Sequence, residues 1–281
     1  MKRNIILTCL SLGLAGMFVA CTSERSIDEQ LPKEANTTEK GRLTLNLTAD
    51  AAFISQTRAL NEANFRNTAN YTVQLINSYN QAVLLNCKGS ELSGNLPKEL
   101  EIGSYEVKAF YGTEYPYSRD DFRVEGSKAF TIKAKEETTV TVDCLPTCGK
   151  ISVDFDSDMA TYYSDYSVSY TGTAAMGSNS ITWAKADTEP WYVKLNESGE
   201  TITYTVNVTA KEDYAHVDAN GNKQTTGTAT GSFTLERNRA HKLSIKPNYT
   251  ETTEGGLSIT ITIDESTNDK PITIEVPVSW V

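Results

Sequence analysis

The sequence predicts an all-β chain: two tandem antiparallel β-sandwich domains after a lipoprotein signal peptide (residues 1–20) and a disordered tether (residues 21–40). Three observations lead there. From Gly41 onward, apolar residues recur at alternate positions over short runs, the pattern of half-buried strands. Turn-forming residues separate these runs at fairly regular spacing. No window of any length shows a helical period, so a sheet-on-sheet architecture is expected. A chain of 281 residues suits two domains at about 150 residues each. Pro146 interrupts two strand-like runs and divides the body into 41–146 and 147–281.

The elements follow in order. In Arg42-Leu43-Thr44-Leu45-Asn46-Leu47-Thr48 the leucines share one face. Tyr71 to Leu75 and Ala82 to Cys87 form a hairpin across Ser78-Tyr79-Asn80, residues that favour turns. Gly103 to Phe110 is the next strand, then Lys128 to Ile132 and Thr138 to Cys144 around Lys135-Glu136-Glu137. Beyond Pro146, strands are expected at Lys150 to Phe155, Tyr166 to Tyr170 and Trp191 to Leu195. Ile202 to Val217 and Lys223 to Leu235 read as one long hairpin, closed by Asn220-Gly221 as the central pair of a type I′ turn, where both residues need positive φ. Ala240 to Ile245 comes next, then a flexible Asn248 to Gly256, Leu257 to Ile263 and Ile272 to Trp280. Pro277 pushes the last toward an edge or bulge.

The first thirty residues carry an address. Lys2 and Arg3 form a positive start and Ile5 to Val19 an apolar stretch too short to span a bilayer stably. Phe18-Val19-Ala20-Cys21 ends a small-residue cleavage site in cysteine. That cysteine is expected to take the lipid and begin the mature chain. Residues 22–40 are polar with little to bury, hence the tether. Glu24, Asp28 and Glu29 lie close behind Cys21 and fit either an acidic export tag or a solvated linker.

Composition narrows the partners. Removing Lys2 and Arg3 with the signal takes the net charge from −10 to −12. Such a surface repels phosphate backbones, so no nucleic acid is expected, and lipid on Cys21 is the expected membrane contact. Cys87, Cys144 and Cys148 remain in the mature chain. In a compartment that permits disulfides they suggest one bridge and one free thiol, with the pair left open.

Catalysis finds few candidates, and neither an enzyme nor a cofactor is expected. His216 and His241 are the two histidines, each inside an expected strand. No H-E-x-x-H, G-x-S-x-G or phosphate-cradling loop occurs. Asp154, Asp156 and Asp158 alternate like the start of a calcium loop, with Asp165 at its twelfth position. The sixth position is Met159 where the turn needs glycine, so no metal is expected. Aromatic residues are the more suggestive group. Tyr111, Tyr115 and Tyr117, followed by Phe122, crowd rings into an expected loop. With Trp183 and Trp191 they are candidates for stacking on host or dietary glycan, the reading for a sugar-capturing module beside a polysaccharide importer. Tyr162, Tyr163, Tyr166 and Tyr170 form a second group, with the even spacing of Tyr166 and Tyr170 pointing to core packing.

These features together resemble a known family. The lipoprotein signal, the Gly-Arg-Leu-Thr-Leu-Asn-Leu first strand, Gln56-Thr57-Arg58-Ala59, and Gly103 to Ala109 look like the DUF4493 lipoproteins of Bacteroidetes, which are similar to fimbrillins. The resemblance implies a fimbrillin/transthyretin-like fold, an outer-membrane surface location and other fimbria-like subunits as partners. It also implies a mechanism: cleavage between Arg58 and Ala59 releases Leu43 to Leu47, and Ile272 to Val278 of another subunit fills the vacated groove. The bland reading beside it keeps Arg58 as a loop residue and the first strand in place, in a permanently anchored lipoprotein.

Overall fold

The computed structural model describes residues 39–50, 60–249, 257–265, 272–276 and 279–280. The signal peptide, Cys21, nearly all of the tether, Arg58, Ala59, Pro277 and most of the Asn248 to Gly256 stretch lie outside the described residues. Among the described residues no helix is long and apolar enough to cross a membrane.

The first half contains β1 (Lys40–Ala49), β2 (Thr72–Asn77), β3 (Val83–Lys88), the single helical turn α1 (Leu92–Asn95), β4 (Lys98–Glu101), β5 (Gly103–Tyr111), β6 (Tyr117–Ser118), β7 (Val124–Ile132) and β8 (Glu137–Pro146). Seven of these strands form one sheet in the order β3-β2-β5-β7-β8-β1-β4, made of two stretches, β3-β2-β5-β7 and β8-β1-β4. They meet where Val124 pairs with Pro146 and Glu125 with Leu145. Alternation sends Leu43 and Leu45 of β1, Val73 and Leu75 of β2, Val107 of β5 and Val142 of β8 into one core, while the residues between them face outward.

The second half continues with β9 (Cys148–Phe155), α2 (Met159–Tyr162), β10 (Tyr163–Thr171), β11 (Ile181–Ala184), β12 (Trp191–Lys194), β13 (Glu200–Ala210), β14 (His216–Val217), β15 (Lys223–Gln224), β16 (Thr226–Leu235), β17 (Ala240–Tyr249), β18 (Leu257–Glu265), β19 (Ile272–Val276) and β20 (Ser279–Trp280). Its layers are β11-β10-β13-β16-β20 and β19-β18-β17-β9-β12-β6. Between them lies a second core that includes Ile151, Val168, Trp183, Tyr204, Leu243 and Ile259.

The sheets correct the expectation of purely antiparallel pairing. β1 runs parallel to β8 from Arg42↔Glu137 to Ala49↔Cys144, and β9 runs parallel to β17. Alternation reports which face of a strand is buried and not the direction of its neighbour. Parallel partners are also far apart in the chain: Thr44 Oγ1 donates to Glu137 Oε1 at 2.9 Å across 93 residues.

Two further expectations change. Ile272 to Trp280 is not one strand: β19 pairs with β18 at the edge of one layer, and β20 pairs with β16 in the other. The long hairpin also stops short. The β13–β16 ladder ends at Thr209↔Thr226, and a separate β14–β15 hairpin closes the connection. Its turn is organised by Asp218, whose Oδ1 accepts the backbone N–H of Asn220 and of Asn222, each at 2.8 Å. The N–H of Gly221 donates to the Asp218 carbonyl at 2.9 Å. Gly221 alone of the expected pair has positive φ, at 86°, so the turn is not type I′. The carboxylate outcompetes that geometry by satisfying two N–H groups at once, and the same bonds hold the Asp218 carboxyl below its ordinary pKa. Gly221 has no neighbour within 4 Å of an added Cβ, so only backbone conformation resists substitution. Gly221→Ala is expected to cost about 1 kcal/mol in urea unfolding and Asn220→Ala under about 0.5. Equal costs would contradict this turn geometry.

Candidate functional site

The aromatic loop between β5 and β7 is where the sequence places its sugar-stacking rings. Its first bend is at Gly112, with φ 79°, where a Cβ would sit 1.9 Å from the Phe122 carbonyl oxygen. Asp121 closes the loop by accepting the Thr113 N–H at 3.0 Å and the Phe122 N–H at 2.9 Å. The loop then leaves its own layers. Its strand β6 pairs with β12 of the second half, Tyr117 opposite Val193 and Ser118 opposite Tyr192. The Lys194 N–H adds a bond to the Pro116 carbonyl at 3.0 Å.

Side chains reinforce that crossing. Tyr117 meets Trp191 edge-on, with centroids 5.7 Å apart. Arg119 lies over the same indole at 4.6 Å and grips Asp187 with two bonds of 3.0 and 2.6 Å, the fork geometry of arginine with carboxylate. Lys194 pairs with Glu114 at 2.7 Å. Phe122 stacks on Phe65 at 3.9 Å and on Tyr192 at 4.7 Å, and Tyr111 packs its edge against Phe65 at 5.1 Å.

Behind these rings is a charged pair. Glu62 stands in a one-turn 3-10 segment, Glu62–Phe65, whose start is capped by the Asn61 side chain accepting the Ala63 N–H at 3.2 Å. Its Oε1 accepts Lys150 Nζ at 2.7 Å and also the hydroxyl of Tyr192. The two charged side chains are 1% and 4% exposed. Glu62 comes from the first half, and Lys150 and Tyr192 come from β9 and β12 of the second. An ion pair this dry requires close mutual geometry, because each charge has lost its water. It therefore fixes how the halves meet.

The family profile described as a domain of unknown function, DUF4493, matches residues 39–278. The chain belongs to the DUF4493 family. None of the curated proteins matches it. Among solved structures with similar folds is a fimbrial assembly protein from Parabacteroides distasonis, 11% identical, with a TM-score of 0.42 over 84% of this chain and 98% of that one. The fimbrial anchor protein Mfa2 from Porphyromonas gingivalis is another, 11% identical, with a TM-score of 0.40 over 80% of this chain and 97% of that one.

In this DUF4493 chain the sugar-stacking candidates do not form one surface. Tyr111, Tyr117 and Trp191 are partly buried at the crossing just described. Trp183 is completely buried in the second core, its Nε1 donating to the Glu189 carbonyl at 2.7 Å, so no sugar reaches its ring. Tyr115, 48% exposed, keeps an open ring. The crowding of rings in the loop is thus explained by packing across the junction, which composition alone could not distinguish from a ligand surface.

The remaining candidates are dispersed. Asp154 pairs with Lys242 at 3.2 Å and Asp156 with Lys246 at 3.6 Å, while Asp156 Oδ1 accepts the Asp158 N–H. Among the described residues no three His, Cys, Asp or Glu side chains gather as a metal would need. His216 lies on the short β14. His241 is buried and stacked on Phe233, and burial holds its pKa down at about 3. The expected disulfide is absent: Cys87, Cys144 and Cys148 are free thiols. Cys144 faces the first core, with Sγ 3.8 Å from the Ala109 carbonyl. Burial pushes its pKa up to about 12 and raises those of Cys87 and Cys148 as well, which suppresses the thiolate that exchange requires. Cys21, Arg58 and Ala59 lie outside the described residues. Glu62 escaped sequence reading altogether. The available hint was Lys150, a cation in the otherwise apolar start of Cys148-Gly149-Lys150-Ile151.

Proposed function

We propose that the protein is a lipid-anchored surface protein of the outer membrane with a structural, adhesive role, in which β1 stays in place. The observation that carries this reading is the junction. The Tyr117–Trp191–Arg119 stack and the Glu62–Lys150 pair tie the two halves to each other, as a structural role under load would require. β1 is built in with equal care. It lies between β8 and β4, buries Leu43 and Leu45, and those two side chains alone stabilise the fold by about 3–6 kcal/mol.

The second reading is assembly by strand addition, and one observation favours it. β1 is interior to β8-β1-β4, so its removal opens a groove with ladder groups on both sides. β19 is an edge strand and carries the expected donor sequence from Ile272. The intact mass and N-terminus of protein recovered from native membranes separate the two. A single species beginning at acylated Cys21 is expected. A species beginning at Ala59 would overturn β1 retention and make strand exchange the leading mechanism.

A further inference from the structure

We propose that the end of the first half at which the chain enters is a foot that rests in the lipid headgroup layer, so that the second half is held away from the membrane. This rests on the reading of Cys21 as lipidated. Four chain segments are tied together at that end. The Ile102 N–H donates to the Glu39 carbonyl at 3.2 Å, the Lys135 N–H to the Lys40 carbonyl at 2.7 Å, and the Ser78 N–H to the Ser104 carbonyl at 3.0 Å. The start of β1, the β2–β3 turn, the β4–β5 turn and the β7–β8 turn therefore form one surface. The junction with the second half lies at the other end of the same strands, where β8 finishes at Pro146 and β9 starts at Cys148.

Exposed apolar side chains concentrate at the foot. Seven large ones stand well exposed among the described residues, and four of them, Tyr79, Val83, Leu84 and Ile102, are on or beside this end. Tyr79 is 97% exposed and Ile102 51%. The exposure of Tyr79 does not come from a slack loop. Asn77 Oδ1 accepts the N–H groups of Tyr79 and Asn80, Asn80 Oδ1 accepts that of Ala82, and Gln81 Nε2 donates to the Ser78 carbonyl. A turn with this many internal bonds fixes the backbone from which the ring projects.

The occupant follows from chemistry and from where the chain leads. A tyrosine beside aliphatic groups suits the interface between headgroups and acyl chains, and the exposed Lys133 and Lys135 can lay their stems on it and keep the ammonium in water. The chain leads from Glu39 back to Cys21, a connection of 18 residues that keeps the foot within about 60 Å of the anchor even when fully extended. At that range a weak contact operates at high effective concentration.

The test uses the full-length lipoprotein carrying Tyr79→Trp in phosphatidylcholine vesicles, with and without brominated acyl chains, after intact mass has checked acylation of Cys21. Tyr115→Trp, near the junction, is the comparison. The expected result is that bromination lowers the added emission of the Tyr79→Trp protein about twofold, leaves the Tyr115→Trp protein unchanged, and loses its effect when Ile102→Asp is added. An acylated protein in which both variants respond alike, or neither responds, overturns the foot and leaves the anchor standing. An unacylated Cys21 overturns both.

Discussion

Glu62→Ala is expected to destabilise the protein by about 3–5 kcal/mol, because it leaves the Lys150 ammonium buried without its counter-charge 2.7 Å away. Lys150→Ala should cost a similar amount for the reverse reason. The double change Glu62→Leu with Lys150→Met removes both charges and preserves most of the volume, and it should return to within about 2 kcal/mol of the parent. Because the pair joins the two halves, each single variant should also lose cooperativity, with one urea transition separating into two. Urea unfolding checks this when followed both by far-UV circular dichroism, which reports on strands of both halves, and by tryptophan emission, which through Trp183 and Trp191 reports on the second half. The two curves should coincide for the parent and separate for each single variant. A Glu62→Ala protein within about 1 kcal/mol of the parent would show that the pair is solvated.

The second large effect is acid sensitivity centred on His241. In the unfolded chain its imidazole titrates near the ordinary value of about 6.5, whereas burial keeps it neutral in the fold until about pH 3. Its two ring nitrogens have no hydrogen-bond partner, and its face is covered by Phe233 at 3.4 Å. The folded state therefore binds fewer protons than the unfolded one between those values. The stability that depends on a neutral His241 is complete above about pH 6.5 and declines as pH falls toward 3, by about 1.4 kcal/mol per unit. About 3 kcal/mol should be gone by pH 4.5. His241→Leu removes the titrating group and two buried nitrogens of unmet bonding capacity, so at pH 7.5 it should equal or exceed the parent. Urea midpoints at pH 7.5 and 4.5 test it: the parent should lose about 3 kcal/mol more than His241→Leu between the two. Equal losses would mean that His241 is protonated in the fold.

Both effects arise at positions whose importance was only partly visible in the chain. His241 was visible only as a histidine within an expected strand; the structure turns it inward with Leu243 and Ile245, without the solvent or hydrogen-bond partner that a strand histidine ordinarily finds. Nothing near it announces Phe233 as its stacking partner. Lys150 was visible as a cation among buried neighbours, but Glu62 is 88 residues away and no local pattern connects them. The turn at Asp218 is a third case. Asn220-Gly221 correctly marked a reversal, yet the Asp218 carboxylate chose its geometry by capturing two N–H groups.

The sequence by itself determined the all-β class and the inward face of most strands, because side chains in an extended chain alternate and apolar ones must leave water. It also determined the strongly acidic balance and the membership of a recognisable family. The tertiary structure alone decided that β1 and β9 run parallel to β8 and β17, that β6 crosses to the other half, and that the aromatic loop closes a junction instead of opening to solvent. A strand's period records that one face is buried. It carries no record of what buries it, because partners across sheets and across the junction are brought together only when distant segments collapse onto a common core.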